Sequence, residues 1–202
     1  MAIANWAAVS FEVNMFHIPD DKRAKKSADL IFKALIECLK IKPLSDITAK
    51  DIQKTCGVSR ATYYRLFGNN TDILRYGCMA LSERIARECP EFPHDEKALE
   101  RFSLYVIKAW MENQDVLEAL NRCGKNSLLI ECIRMNTDQV KNIRILYAFG
   151  DTSFDYFINI VYGMLCTILT TWIQRGRQES AEEINEIFLK LTGSCFKEGN
   201  AL

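Results

Sequence analysis

The seven residues 59–65 concentrate the side chains that could do chemistry in this sequence. They read Ser-Arg-Ala-Thr-Tyr-Tyr-Arg, so two guanidinium groups and four hydroxyl groups lie within about two helical turns. A guanidinium group can donate two hydrogen bonds to a guanine edge, and hydroxyl groups can donate to phosphate oxygens. The chemistry that this segment indicates is hydrogen bonding to a polyanion.

Two short helices joined by a tight turn are predicted to position this segment. The first begins at Thr48, because Thr48 and Asp51 have the T-x-x-D spacing of a capping box. It ends at Gly57, which tolerates the left-handed backbone of a sharp turn. Ser59 is a good N-cap for the second helix. A preceding helix over about 21–40, apolar along one face, would brace the pair and complete a helix-turn-helix.

The second short helix would present its N-terminal half to the major groove of DNA. Arg60 can donate two hydrogen bonds to a guanine edge, and Ala61 can contact a thymine methyl group. Hydroxyl groups at the helix starts can hold phosphates, and Lys50 adds positive charge that is insensitive to base sequence. The predicted DNA-binding residues are Thr48, Lys50, Ser59, Arg60, Ala61, Thr62, Tyr64 and Arg65.

This stretch resembles the DNA-binding domain of the tetracycline-repressor (TetR/AcrR) family of bacterial regulators. The family pattern is roughly T-x-x-D-I-A-x-x-A-G-V-S-x-x-T-[FL]-Y-x-[HY]-F, followed by a lysine and a leucine. The residues in register with it are Thr48, Asp51, Ile52, Gly57, Val58, Ser59, Thr62, Tyr63, Tyr64, Phe67 and Leu74. The resemblance covers about residues 24–75. It implies a cytoplasmic transcriptional regulator that binds a palindromic operator as a homodimer and acts as a ligand-released repressor.

Four positions depart from the family pattern. Gln53 and Cys56 replace alanines, which the fold should tolerate. Leu66 stands where the family often has a phosphate-binding His or Tyr, and Asn70 stands where it often has Lys. These last two departures keep an alternative open. It is a protein of the same fold with weak or lost DNA binding that acts through protein contacts.

The charge of the chain is unevenly distributed. Residues 20–70 contain eleven Lys and Arg against six Asp and Glu, whereas residues 71–202 contain fifteen against nineteen. A basic N-terminal part is compatible with a polyanion partner at that end. The eight cysteines form no C-x-x-C pair and there are two histidines, so no metal site or cofactor is expected. No catalytic motif is present, so an enzyme is not expected.

Capping signals and apolar periodicity predict about nine helices and no strands, which is an all-α fold. Residues 1–19 would form an N-terminal arm that need not be ordered, and 20–70 the three-helix DNA-binding domain. Residues 71–202 would form an effector-binding and dimerisation domain. Its helices are predicted at about 71–88, capped by Thr71, and at 95–112, 114–122, 125–147, 152–175 and 181–196. In the mechanism that the resemblance implies, an effector shifts the helix over 71–88, which joins the two domains.

The resemblance implies that the C-terminal domain holds the effector and dimerises. An apolar or aromatic effector is expected, since the candidate residues are large apolar side chains, although each is more often simply core. The candidate effector-binding residues are Phe102, Tyr105, Trp110, Met111, Met135 and Tyr147. The predicted dimer face consists of Val161, Leu165, Ile168, Leu169, Trp172, Ile184, Ile187, Phe188 and Leu191.

Residues 156–174 also permit a different interpretation. They contain no charged side chain, and a segment of this length can span a membrane. Asn159 and the three threonines at 167, 170 and 171 argue against a membrane span. A helix that is apolar all round also suits a buried dimer core. The dimer core is therefore the expectation, with no membrane partner, and a membrane anchor is the alternative.

Overall fold

The computed structural model describes residue 16 and residues 18–93, 95, 97–135 and 151–196, with only the backbone of 151–155 and 194–196. These residues form nine α-helices and no strand, which confirms the predicted all-α fold. The helices are α1 (Lys22–Leu39), α2 (Ala49–Cys56), α3 (Arg60–Leu66), α4 (Asn70–Arg87), α5 (Ala98–Met111), α6 (Gln114–Arg122), α7 (Ser127–Met135), α8 (Asp151–Gln174) and α9 (Ala181–Phe196).

The chain divides into two compact units between Tyr76 and Gly77. We refer to them as the N-terminal unit and the C-terminal unit. The division lies inside α4. The domain boundary predicted after residue 70 falls after the first residue of the same helix. One continuous helix therefore belongs partly to each unit.

The N-terminal unit is built around the apolar face of α1. The side chains of Ala28, Ile31 and Leu35 have no exposed surface. Helices α2 and α3 both pack on α1, and they bury Ile52 and Tyr63 respectively. Burial of these large apolar side chains supplies the main stabilising free energy for helices as short as α2 and α3, which would be marginal alone.

The predicted start and stop signals of α2 and α3 are confirmed. Thr48 and Asp51 form the capping box, with the Thr48 amide donating to the Asp51 carboxylate over 2.8 Å. Gly57 has a φ of 72°, in the left-handed region that a residue with a Cβ adopts at a cost. The Ser59 hydroxyl accepts a 3.2 Å hydrogen bond from the Thr62 amide. These local contacts fix the direction in which α3 leaves the turn.

The start of α4 differs from the prediction. Asn69, not Thr71, caps the helix, because its side chain accepts from the Asp72 amide over 3.1 Å. The Asp72 carboxylate accepts in return from the amides of Asn69 (3.1 Å) and Gly68 (3.2 Å). This reciprocal arrangement satisfies several amides at once, whereas Thr71 lies within the first turn.

Phe16, from the predicted N-terminal arm, contacts the N-terminal unit. Its ring centroid lies 6.2 Å from that of Phe67 and 5.6 Å from that of Tyr76. The Tyr76 hydroxyl also donates to Asp29 on α1 over 2.7 Å. Aromatic rings at these spacings attract each other beyond simple burial. Most of the arm lies outside the described residues.

The C-terminal unit packs α5 against α9, and α8 against α6 and α7. Trp110 on α5 and Phe188 on α9 are among its most buried side chains, at 1% and 0% exposed. A buried polar pair links α5 to α9, since the Ser103 hydroxyl donates to the Asn185 side chain over 2.6 Å. Ser180 and Glu183 form the capping box of α9 that their spacing permits.

The helix expected over 125–147 corresponds to α7 as far as Met135, and residues 136–150 lie outside the described residues.

Within the described part of the chain, Tyr156–Gln174 of α8 is long and apolar enough to cross a membrane, and half of it is buried. A buried core helix gives the same pattern, so this segment is weak support for a membrane anchor.

Candidate nucleic-acid interface and ligand cavity

Helix α3 has one exposed polar face and one buried face. Arg60, Ala61, Tyr64 and Arg65 are exposed, as predicted. On the opposite side, Tyr63 and Leu66 are only 5% and 1% exposed. The capped helix therefore holds two guanidinium groups and a tyrosine outward, with Arg60 in its first turn and Arg65 in its last, where their hydrogen-bond donors can reach a ligand.

The hydroxyl groups beside this surface are partly engaged within the protein. The Thr48 hydroxyl donates to the Asp51 carboxylate over 2.6 Å, which leaves it without a proton for a phosphate. The hydroxyl groups of Ser59 and Thr62 lie 3.0 Å apart, so one donates to the other and one proton stays available. Lys50 is exposed at the start of α2. Of the residues predicted to contact phosphate, Thr48 is thus engaged within the protein, whereas Lys50 and the pair Ser59 and Thr62 keep a donor.

Three donor groups surround the Asp51 carboxylate at the start of α2. Lys42 lies 2.7 Å from its carboxylate, and the Thr48 hydroxyl and amide donate to the same oxygen. The hydrogen bond from Lys42, followed by those from Thr48, holds the pKa of Asp51 well below its usual range. The ammonium group of Lys42 is therefore paired with the Asp51 carboxylate.

Asn70 links α3 to the segment that precedes α2. Its side-chain oxygen accepts a 2.8 Å hydrogen bond from the Tyr63 hydroxyl. Its side-chain amide donates to the Ile47 carbonyl over 2.7 Å and to the Leu44 carbonyl over 3.3 Å. Burial raises the pKa of Tyr63, which keeps its hydroxyl a donor. Sequence reasoning missed this bridge because its partners lie 23 and 26 residues away.

The two departures from the family pattern therefore have structural explanations. Leu66 faces the interior, so this position offers no surface to a phosphate. Asn70 uses both ends of its amide group within the protein. Neither side chain is placed to hold a phosphate, so the alternative of weak or lost DNA binding stays a prediction.

No model of a protein family matches this sequence, and no curated protein matches it. Solved structures do match. A TetR transcriptional regulator from Streptococcus agalactiae 2603V is 19% identical, with a TM-score of 0.60 over 83% of this chain and 94% of that one. Lin0861 from Listeria innocua has a TM-score of 0.70 at 14% identity, over 87% and 93% of the two chains.

A tetR-family transcriptional regulator from Streptomyces coelicolor is also similar, with a TM-score of 0.55 at 13% identity over 88% and 86% of the two chains. The chain has the TetR fold. The resemblance inferred from the helix-turn-helix residues is thus confirmed at the level of the fold, and the similar structures include transcription regulators rather than enzymes.

A small apolar cavity lies within the C-terminal unit of this TetR fold. Its volume is about 50 Å³, close to the space of one or two water molecules. Of the candidate effector-binding residues, Phe102, Tyr105 and Trp110 line it, and Ser82 and Tyr162 add hydroxyl groups. Small-molecule pockets usually measure about 300–1,000 Å³. The cavity would have to expand to admit an effector of ordinary size.

The other three candidate residues lie elsewhere. Met111 is half-buried but is not among the residues that line the cavity. Met135 is 62% exposed at the end of α7, so its side chain faces solvent rather than the cavity. Tyr147 lies outside the described residues.

Only some residues of the predicted dimer face are exposed, and the others are buried. Six of its side chains are buried within the C-terminal unit, because α8 and α9 each pack one face on helices of the same chain. The six buried residues are Val161, Leu165, Leu169, Trp172, Ile184 and Phe188. Ile168 is half-buried, and Ile187 and Leu191 are 44% and 48% exposed. The six buried residues are therefore not available to a partner.

Two exposed apolar residues on α8 were missed by the sequence analysis. Tyr156 is 71% exposed and Ile160 is 49% exposed, one helical turn apart. Ile187 and Leu191 on α9 have the same spacing. This i, i+4 pattern of apolar residues outside the buried face is the signal that could have identified them. We call these four residues the apolar α8–α9 surface.

The described cysteines mostly behave as small apolar core residues. Cys78, Cys132 and Cys166 are buried in the C-terminal unit. A hydrogen bond with Cys132, together with burial, raises the pKa of Cys78, and burial raises that of Cys166 to about 12. The thiols of Cys78 and Cys166 therefore stay protonated at neutral pH and are poor nucleophiles. No group of three metal-binding side chains occurs among the described residues.

Proposed function

We propose that this protein is a sequence-specific DNA-binding transcriptional regulator. The observation that carries the proposal is the exposed face of α3, which presents Arg60, Ala61, Tyr64 and Arg65 on a capped helix of a helix-turn-helix unit. Burial of Tyr63 and Leu66 on the other side fixes which residues face outward. An exposed guanidinium group near the start of such a helix suits direct reading of guanine.

The regulator would act as a cytoplasmic homodimer. The apolar α8–α9 surface supports this, because exposed apolar residues at helical spacing are costly on a free monomer and typical of an interface core. A two-fold dimer would present two copies of α3 to half-sites one helical turn of DNA apart. Its operator would then be palindromic.

Ligand release of a repressor is the proposed mode of control. An effector would enter the C-terminal unit beside Phe102, Tyr105 and Trp110, which line the cavity. It would shift α4, the helix that contains the division between the two units. To weaken operator binding, the effector must bind the released state more tightly than the DNA-bound state.

Substitutions at Arg60 and Lys50 test the proposed roles. With Arg60→Ala, discrimination between the preferred operator and a variant at one guanine should fall by about 1–3 kcal/mol, because the base contact is lost. With Lys50→Ala, binding to all duplexes should weaken about equally, and the slope of log affinity against log salt should fall by about one. Fluorescence anisotropy with labelled duplexes measures both effects.

The control is Arg122→Ala, which removes an exposed arginine of the C-terminal unit. It should leave affinity and discrimination nearly unchanged. Equal behaviour of the Arg60 and Lys50 variants would contradict the division between base and phosphate contacts. No loss of affinity in either variant would contradict the proposed DNA-binding surface itself.

A further inference from the structure

Two neighbouring spaces in the C-terminal unit share a wall. The apolar cavity of about 50 Å³ and a more open polar groove of about 480 Å³ are both lined by Ile85 and Tyr105. The groove is otherwise lined by Arg84 of α4, by Ala109 of α5, and by polar side chains just beyond the ends of these two helices, which are Glu88, Glu112 and Asn113. The Tyr105 side chain therefore stands at the boundary between an apolar and a polar compartment.

A specific hydrogen bond holds Tyr105 in place. Its hydroxyl donates to the Ile85 carbonyl in the last turn of α4 over 2.8 Å. In a continuing helix the Cys89 amide would donate to that carbonyl, but it donates to Ala86 instead over 3.3 Å. Tyr105 thus caps the end of α4. The ring of Phe92 also packs on Tyr105 edge to face, with centroids 6.4 Å apart.

We infer that Tyr105 is a gate between the two spaces, and that the effector is a small amphipathic cation with a hydrocarbon ring. Turning the Tyr105 side chain away would join cavity and groove into a space within the usual size range of small-molecule pockets. The ring would enter the cavity beside Trp110, and the cationic group would remain in the groove. This inference rests on the proposed function for its role in regulation.

The charges that line the two spaces support placing the ring in the cavity and the cationic group in the groove. The described side chains that line the cavity carry no carboxylate, ammonium or guanidinium group, so a charge placed there would be costly. The groove is lined by Glu88 and Glu112 against Arg84, an excess of one negative charge. Arg84 donates to the neutral side chain of Asn113 over 2.9 Å, and Glu88 lies 3.8 Å from Arg87.

Opening the gate would also act on α4. Once the Tyr105 hydroxyl leaves, the Ile85 carbonyl loses its cap and the last turn of α4 is less constrained. Because α4 continues without a break from Asn70 to Arg87, a change at its end can be transmitted along the helix. Ligand entry and the position of α4 would then be coupled through one side chain.

The test uses Tyr105→Phe and benzyltrimethylammonium as the probe, with affinity measured by calorimetry on the full chain. Wild type must break the hydrogen bond to Ile85 before the probe enters, whereas the variant need not. The variant should therefore bind about fivefold more tightly, the equivalent of one ordinary hydrogen bond. Tyr76→Phe, which removes a tyrosine hydroxyl bonded to Asp29 in the N-terminal unit, is the matched control and should leave affinity unchanged.

Two further measurements locate the probe. In protein labelled with 5-fluorotryptophan, the Trp110 resonance should shift on binding, since Trp110 lines the cavity. Glu112→Gln should weaken binding of the cation by roughly two- to fivefold and leave binding of benzyl alcohol unchanged. If Tyr105→Phe does not fold, Phe92→Ala, which removes the ring contact, should also tighten binding.

Unchanged or weaker binding by Tyr105→Phe would overturn the gate, and so would the absence of binding by wild type at millimolar probe. Equal binding of the neutral and cationic probes would overturn the ligand class. DNA affinity is measured separately by anisotropy. A gate that behaves as expected in a protein without operator binding would therefore count against the proposed function alone.

Discussion

The two units of this molecule use exposed side chains differently. In the N-terminal unit, the exposed face of α3 is polar and its positions were identified correctly from the sequence. In the C-terminal unit, the important exposed residues are apolar and sit beside similar residues that are buried, such as Leu191 beside Phe188. Local signals identify an exposed polar face, whereas only tertiary packing shows which apolar side chains remain exposed.

The largest expected effect separates the two kinds of apolar residue on α9. Phe188→Ala should lower the free energy of unfolding by about 3–5 kcal/mol, because it leaves a cavity at a fully buried site. Leu191→Asp should cost the protomer much less, but it should dissociate the dimer. Urea unfolding and sedimentation velocity measure the two outcomes. A dimer that survives Leu191→Asp would contradict the apolar α8–α9 surface as the interface.

A smaller effect is expected at the bridge between α3 and α2. Asn70→Ala removes the partners of the Tyr63 hydroxyl and the Ile47 carbonyl, so unfolding should become easier by about 1–3 kcal/mol. Affinity for all duplexes should fall together, since α3 loses a support but no base contact. Asn69→Ala, at the adjacent exposed N-cap, is the control for a general loss at the start of α4. Loss of base preference without loss of stability would contradict the structural role of Asn70.

A contact could be predicted from the sequence when its partners lie close together along the chain. The capping boxes, Gly57 and the outward face of α3 were predictable because their contacts span only a few residues. Asn69 was overlooked in favour of Thr71 because several polar residues in a row can each serve as an N-cap. Asn70 binds carbonyl groups more than twenty residues away, which no local pattern indicates.

The ligand and dimer residues show the same limit. Trp110 and Met135 look alike as large apolar residues, but one lines the cavity and the other faces solvent. Along α8, which is apolar on nearly all sides, periodicity does not indicate the face that the chain itself covers. Leu165 and Ile160 are distinguished by the positions of α6 and α7 rather than by their own chemistry.

The smallest effect concerns acid sensitivity of the start of α2. Lys42 and Thr48 hold the pKa of Asp51 below its ordinary value of 3.8, so the carboxylate favours folding while it is ionised. This contribution is fully present above that ordinary value and is lost as the pH falls toward the lowered pKa of the folded state. The difference in urea midpoint between wild type and Asp51→Asn should therefore be constant near pH 6 and shrink below about pH 4. A difference that grows on acidification would contradict the assignment.

We propose above that the polar face of α3 reads DNA. Its most direct test is the fluorescence anisotropy of labelled DNA from beside the protein's own gene, and of a scrambled duplex, titrated with wild-type protein at several salt concentrations. We expect tight binding to the native duplex alone, with an affinity that falls as salt increases. Equal, weak binding to native duplexes covering the whole neighbourhood and to scrambled DNA would contradict it.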